Sequence, residues 1–474
     1  MKMTAPELQT ILDRLEGSIS IEHGKVTVRD LPKLRKNIHY LAELSALEKG
    51  AIQGWARYLA RLIALECNVI PASIHDLYMA RGKGDVPPTF TVPAMNLRAL
   101  SYDAAKAVFR AAKKYNAGAF IFEIARSEIG YSDQRPAEYA TNIFVAAVEE
   151  GYSGPVFIQG DHFQVSAKKY AADPEAELKA IRDLTKEAIS AGFYNIDIDT
   201  STLVDISKPT IAEQQTLNTG LSAMFTEYIR SIEPAGVTVS VGGEIGEVGG
   251  KNSTVEELRG YMDGYNSELK KKGNYVGISK ISVQTGTTHG GVVLPDGSIA
   301  QVSVDFETLQ RLSQVARNEY GLGGAVQHGA STLPEDAFGK FVEHEACEVH
   351  LATNFQNMLF DRLPEDLKKE MYAFLDEKYA NERKPGMTDE QFYYKTRKNA
   401  IGPFKAATWN LPQATKEMIG KAWEDQFSKL FRLLCIADTQ KVVHDFIKPP
   451  KIQPELKDYL GESVGDKDIK DLAD

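Results

Sequence analysis

The chain has 474 residues, of which 43% are apolar and 25% charged, with a formal net charge of −10. That length allows more than one domain, and the composition is that of an ordinary soluble globular protein. The acidic balance argues against nucleic acid or an anionic membrane as main partner, yet permits a small phosphorylated ligand that needs only a local positive site.

Residues 1–84 read as a helical N-terminal extension without strand signals. The opening MKMTAPELQTILDRLEG is amphipathic and polar, unlike a signal peptide. LPKLRKNIHYLAELSALEKGAIQGWARYLARLIALE carries apolar residues at three- and four-residue spacing. No apolar run approaches the roughly 18 residues of a membrane span. Cys67, Cys347 and Cys435 are far apart and odd in number, so no disulfide framework is implied and a cytoplasmic location is expected.

ARGKGDVPP then reads as a linker, and from residue 85 to 365 the pattern alternates. Short apolar strands are expected at TFTVPAMN (89–96), GAFIFEIA (118–125), PVFIQGD (155–161), YNIDIDT (194–200), VTVSVGGE (237–244), KISVQTGTTHG (280–290), GAVQHG (324–329) and EVHLAT (348–353). Helical segments such as SYDAAKAVFRAAKKYN and DFETLQRLSQVARNEYG separate them. Eight strand–helix units of this rhythm predict an α/β fold, a (β/α)8 TIM barrel. A doubly wound sheet would usually show a Gly-rich turn after its first strand, and TVPAMNLRALS has none. Residues 366–474 return to helix, as a C-terminal helical extension packing on the barrel or on a second subunit.

Barrel function collects at the C-terminal ends of the strands. There the sequence places Asp161 and His162, Asp197 and Asp199, Glu244, His289, and His328. A lone histidine at a strand end is more often a structural hydrogen-bonding group. Three of nine histidines on one rim, with carboxylates between them, favour a metal site, and three imidazoles with an open position suit catalytic Zn²⁺. The histidines at 23, 39, 75, 344 and 444 fall in helical stretches and are expected to have no site role. GGEIGEVGGKN (242–252) reads as a mobile active-site loop too Gly-rich for regular structure. HGAST (328–332) and HLATN (350–354) offer backbone N–H groups near the starts of the helices after strands 7 and 8, where TIM barrels commonly bind phosphate.

Taken in order, VPAMN, FIQGDHFQ, GGEIGEVGG, ISVQTGTTHGG, VQHGASTLP and VHLATN resemble the class II, metal-dependent fructose-bisphosphate aldolases over residues 89–360. The resemblance implies Zn²⁺ or another divalent cation, aldol cleavage of a phosphorylated ketose, and a homo-oligomer. It makes His162, His289 and His328 the metal ligands, and Asp161 the acid/base. Asp199 and Glu244 are the residues for a second metal. Asn96, Gly290, Gly329, Ala330, Ser331, His350, Thr353 and Asn354 are placed around the substrate and its phosphate. Glu348 and His350 stand where the family usually has Lys and Asn. Lys251 and Asn252 replace a carboxylate pair, Gln159 replaces a histidine, and a lysine after the strand-6 His-Gly is absent. Lys395 and Arg397 are candidates to complete a phosphate site across a subunit interface. The competing readings are a non-catalytic aldolase-like subunit that stabilises a partner, and a metal hydrolase on the same barrel.

Overall fold

A computed structural model describes residues 6–22, 24–246, 251–286, 294 and 303–460. Its strands are β1 (Ile19–Glu22), β2 (Lys25–Val28), β3 (Val69–Ala72), β4 (Val92–Asn96), β5 (Ile121–Ala125), β6 (Gly154–Gln164), β7 (Asn195–Asp199), β8 (Ser240–Glu244), β9 (Lys280–Val283), β10 (Ala325–Gln327) and β11 (Glu348–Leu351). Strands β4 to β11 pair in parallel, each with its neighbour in sequence, and β11 returns to β4, with Val349 opposite Pro93. The result is a closed eight-stranded barrel ringed by helices. These strands were legible because a barrel strand is buried on both faces and reads as a nearly continuous apolar run. Most are shorter than the sequence suggests; β9 stops at Val283.

The N-terminal region corrects the all-helical expectation, since it contains three strands. ISIE and KVTV form the β1–β2 hairpin, with Ile21 opposite Val26 and Gly24 at φ +71 supplying the turn. VIPA is β3, a four-residue segment too short to show a period and interrupted by Pro71. It lies beside the first half of β6, from Val69 opposite Gly154 to Ala72 opposite Phe157, while β7 pairs with β6 from Gln159 onward. Asn195 joins the three strands: its Nδ2 donates to Ala72 O (3.1 Å) and Ile158 O (3.0 Å), and its Oδ1 accepts from Ile74 N (2.9 Å).

Both extensions pack on the barrel of the same chain. Trp423 Nε1, on the helix Gln413–Leu433, donates to Phe355 O at 3.1 Å, and Phe431 stacks on Phe120. The two ends share one buried anchor, Glu138, which meets Arg57 at 3.6 Å and Lys405 at 3.0 Å. Among the described residues no helix is long and apolar enough to cross a membrane.

Candidate active site

Asp161 and His162 are adjacent on β6, so regular alternation would send their side chains to opposite faces. A β-bulge resolves this. Gly160 lies opposite Ile196 but Phe163 opposite Ile198, so β6 inserts one extra residue. His162 takes a left-handed backbone at φ +40, a conformation that histidine adopts more readily than most side chains. Both Asp161 and His162 thereby line the same cavity.

His328, just past β10, comes to the same point. Donor atoms of Asp161, His162 and His328 lie within 4.8 Å of one another, and the two imidazole rings meet edge to face at 4.3 Å. Burial alone would lower the His162 pKa, but Asp161, Asp199 and Glu244 raise it to about 10. A buried and a half-buried imidazole among carboxylates form a donor set that suits a divalent cation. His289 and Gly290 lie outside the described residues, as do residues 247–250 of the glycine-rich segment. Where the strand expected at 237–244 and the loop expected at 242–252 overlap, the structure has strand, with Gly242–Glu244 in β8. Positions 242 and 243 require glycine, because a Cβ on Gly242 would meet Asp197 Oδ1 at 2.2 Å, and one on Gly243 would meet Tyr261 Oη at 2.5 Å.

Asp199 faces His162 Nδ1 at 3.0 Å and accepts from Gln164 Nε2 at 2.6 Å, from Ser201 N at 3.0 Å and from Ser201 Oγ at 2.6 Å. Burial raises its pKa, but these partners outweigh burial and hold it below the usual range. Glu244 is pushed up to about 8 by burial and by the charge of Asp199. Asp199→Asn is expected to weaken metal binding about 10- to 100-fold, the usual effect of losing the carboxylate that orients a ligating histidine. Titration with Zn²⁺ or Co²⁺ checks it.

Beneath this cluster the barrel is filled by charge. Lys280 Nζ, from β9, donates to Glu348 Oε1 (2.5 Å), Gln159 Oε1 (2.6 Å) and Asp197 (3.0 Å). Burial lowers the Lys280 pKa, but Asp197 and Glu348 outweigh it and hold the ammonium well above its usual value. Its Nζ is thus held by two carboxylates and an amide oxygen. Glu348 also accepts from Tyr78 Oη at 2.5 Å and faces His350 Nε2 at 2.7 Å. Glu123 is driven up to about 8 by burial and by Asp161, against His350. Sequence reading missed Glu123 and Lys280 as site residues. The signal was a lone charge inside each apolar strand, FIFEIA and KISV.

The cavity above has a volume of about 990 Å³. Of the substrate-side candidates, Asn96, Gly329, Ser331, His350 and Thr353 line it, whereas Ala330 is fully buried and neither it nor Asn354 is among the lining residues. The helix Thr353–Phe360 starts at the wall, and Ser331 Oγ accepts from Ala352 N, fastening the two loops together. HGAST, in contrast, precedes its helix by several residues, since that helix begins at Asp336. Asn96 is held by Glu128 (2.5 Å), which also binds Arg98 at 2.8 Å. The outer wall comes from Met387, Gln391, Tyr394, Lys395 and Lys398 of the same chain. Arg397 does not reach it: its guanidinium binds Asn357 Oδ1 at 2.5 Å and packs over the Phe360 and Tyr394 rings. Neighbouring helical positions point in different directions, which separates Arg397 from Lys395 and Lys398.

A closed parallel barrel with imidazoles and carboxylates converging at the C-terminal ends of its strands is the form taken by TIM-barrel enzymes. Residues 88–409 match the sequence model of the fructose-bisphosphate aldolase class-II family, and the chain belongs to that family. The match runs past the barrel into the C-terminal helices and includes Lys395 and Lys398. No curated protein sequence matches the chain. Among solved structures, the fructuronate-tagaturonate epimerase UxaE from Cohnella laeviribosi is 12% identical, with 90% of each chain covered and a TM-score of 0.54. A putative fructose-1,6-biphosphate aldolase from Coccidioides immitis is 18% identical over 77% of this chain and 96% of its own, with a TM-score of 0.45. The fructose-bisphosphate aldolase of Campylobacter jejuni is 17% identical over 77% and 94%, with a TM-score of 0.46. At these identities the likeness concerns the fold alone.

Proposed function

We propose that the protein is a divalent-metal-dependent aldolase that reversibly cleaves a phosphorylated ketose, with fructose 1,6-bisphosphate giving dihydroxyacetone phosphate and glyceraldehyde 3-phosphate as the default reaction. The observation that carries this reading is the bulge that turns Asp161 and His162 together toward His328. His162 and His328, with His289 as the third candidate, would hold the cation, Zn²⁺ by default. When bound, it supplies Lewis-acid stabilisation of the negative charge that develops as the carbon–carbon bond breaks. Asp199 and Glu244 are the candidates for a second cation.

Asp161 is the proton acceptor in this reading. A substrate hydroxyl must give up its proton as the bond breaks, and a carboxylate within hydrogen-bonding reach does this and returns it in the reverse direction. The cavity wall supports the substrate class. Gly329 and Ser331 offer a phosphate a backbone N–H and a hydroxyl from the loop after β10, and Thr353 offers both at a helix start. At the outer wall, Lys169 and Lys398 form no ion pair among the described residues, and Lys395 meets Glu382 at 3.2 Å. These lysines suit a second anionic group at the far end of the sugar, provided by one chain alone. Lys398→Ala and Lys169→Ala should each raise the KM for a bisphosphate about tenfold with kcat little changed, the loss of one charge-assisted hydrogen bond. Steady-state kinetics against a monophosphate, which should show no such change, checks it.

The test of the reading is metal content by mass spectrometry together with aldol cleavage of fructose 1,6-bisphosphate before and after chelation. Bound metal and chelator-sensitive release of both triose phosphates are expected. Bound metal without cleavage of any ketose phosphate would refute the aldolase, and epimerisation without released fragments would move it to that chemistry. Neither metal nor cleavage would favour an aldolase-like subunit that stabilises a partner. A cytoplasmic homo-oligomer belongs to the same proposal, and light scattering of the purified protein tests its oligomeric state.

A further inference from the structure

His350 connects the cavity to the charged interior of the barrel. Its Nδ1 lies 3.0 Å from Glu123 Oε2 and 3.2 Å from Asp161 Oδ1. Its Nε2 lies 2.7 Å from Glu348 Oε1, and its ring packs on that of His328 at 4.1 Å. Glu348 is in turn fixed by Lys280 from β9, Gln159 from β6 and Tyr78 from the helix His75–Lys83. The place of the imidazole is thus set by several elements at once. Asp161, by contrast, sits on a bulge, where the ladder to β7 is broken.

We infer that His350 is a positioning residue that holds the Asp161 carboxylate toward the cavity by tying it to the buried Glu348–Lys280 pair. The inference rests on the reading of Asp161 as proton acceptor. His350 lines the cavity, yet both ring nitrogens already face carboxylate oxygens within 3.2 Å. Of the groups it faces, Asp161 is the one proposed to move a proton, so His350 acts through Asp161. An acceptor held in one orientation keeps the benefit of proximity that a loosely held one loses, and a displacement of about 1 Å costs about 100-fold in rate.

A double-mutant cycle in the full-length, metal-loaded protein tests this with fructose 1,6-bisphosphate. His350→Ala should lower kcat about 100-fold with KM within about twofold, and should add less than about twofold once Asp161→Asn is present, because nothing remains to position. A further loss of about 100-fold in the double variant would mean that His350 acts independently, and would overturn the inference. Two other variants guard against an alanine protein that does not fold. His350→Asn keeps a donor at the Nδ1 end and should stay within about tenfold of wild type, whereas His350→Gln keeps one only toward Glu348 and should fall as alanine does. Equal losses in the two would also overturn it. Crystal structures of the wild type and His350→Gln give a readout free of activity: the Asp161 carboxylate should leave its place in the variant. If it does not move, the inference fails whatever the substrate. If it moves but the wild type cleaves no ketose phosphate, the aldolase reading fails and the positioning role stands.

Discussion

Lys280→Met should destabilise the protein by about 3–5 kcal/mol at pH 8, the cost of breaking a buried ion pair by removing one partner. Lys280 is 1% exposed, and its ammonium is the only lysine or arginine cation in ion-pair contact with Glu348 and Asp197 among the described residues. Methionine fills most of the volume, so packing changes little and the electrostatic term dominates. With the cation gone, Asp197, already pushed up to about 6 by burial, should rise further, and Glu348, left with His350 as its charged partner, should rise with it. A carboxylate shifted in that sense costs nothing below its unfolded pKa of about 4, and its cost grows as pH rises through that value toward the native pKa. Urea unfolding should therefore show a smaller difference from wild type at pH 5 than at pH 8. Lys280→Met combined with Glu348→Gln should recover part of the loss, since a neutral pair leaves no uncompensated charge on that strand. A Lys280→Met protein within about 1 kcal/mol of wild type at pH 8 would mean that the barrel interior is wetter, and the pair weaker, than its burial implies.

That interior shows what a sequence does and does not reveal. The eight barrel strands announce themselves because each is buried on both faces, and His162 and His328 are visible because histidines are few. The ion pairs are not visible, because Lys280 lies 68 residues from Glu348 and 121 from Gln159. Nothing local records a pairing made only when the barrel closes. Strand β3 was hidden for a related reason: VIPA matters as a filler beside the lower half of β6, a role set by tertiary structure and not by a period. The Asp161–His162 pair is the instructive case. The motif marked it as chemical, but simple alternation would have placed one of the two residues on the wrong face. The bulge, carried by a left-handed His162, is what makes adjacent residues act at one point. The C-terminal lysines follow the same logic: helix was evident, but only the folded chain shows that Lys395 and Lys398 face the cavity while Arg397 is buried.

The bulge also supplies the second large effect, a separation of metal binding from turnover between two neighbouring residues. His162→Ala should lose both the metal and at least about 1,000-fold in kcat, as expected when one member of a group acting as a unit is removed. Its fold should survive, because the side chain is only partly buried and alanine at the φ +40 backbone adds only a local cost. Asp161→Asn should keep the metal, since the imidazoles remain, yet lose about 10²- to 10⁴-fold in kcat with the general acid/base removed. Metal analysis alongside steady-state kinetics separates the two. Asparagine is nearly isosteric with aspartate and still accepts at Oδ1, so a large kcat loss with metal retained would isolate proton transfer from geometry. If Asp161→Asn instead loses the metal as His162→Ala does, Asp161 is a ligand in its own right. That outcome fits its closeness to His162 and His328. The proton would then need another acceptor, and Glu123, 3.0 Å from His350 on the same wall and held near pKa 8, would be the residue to test next.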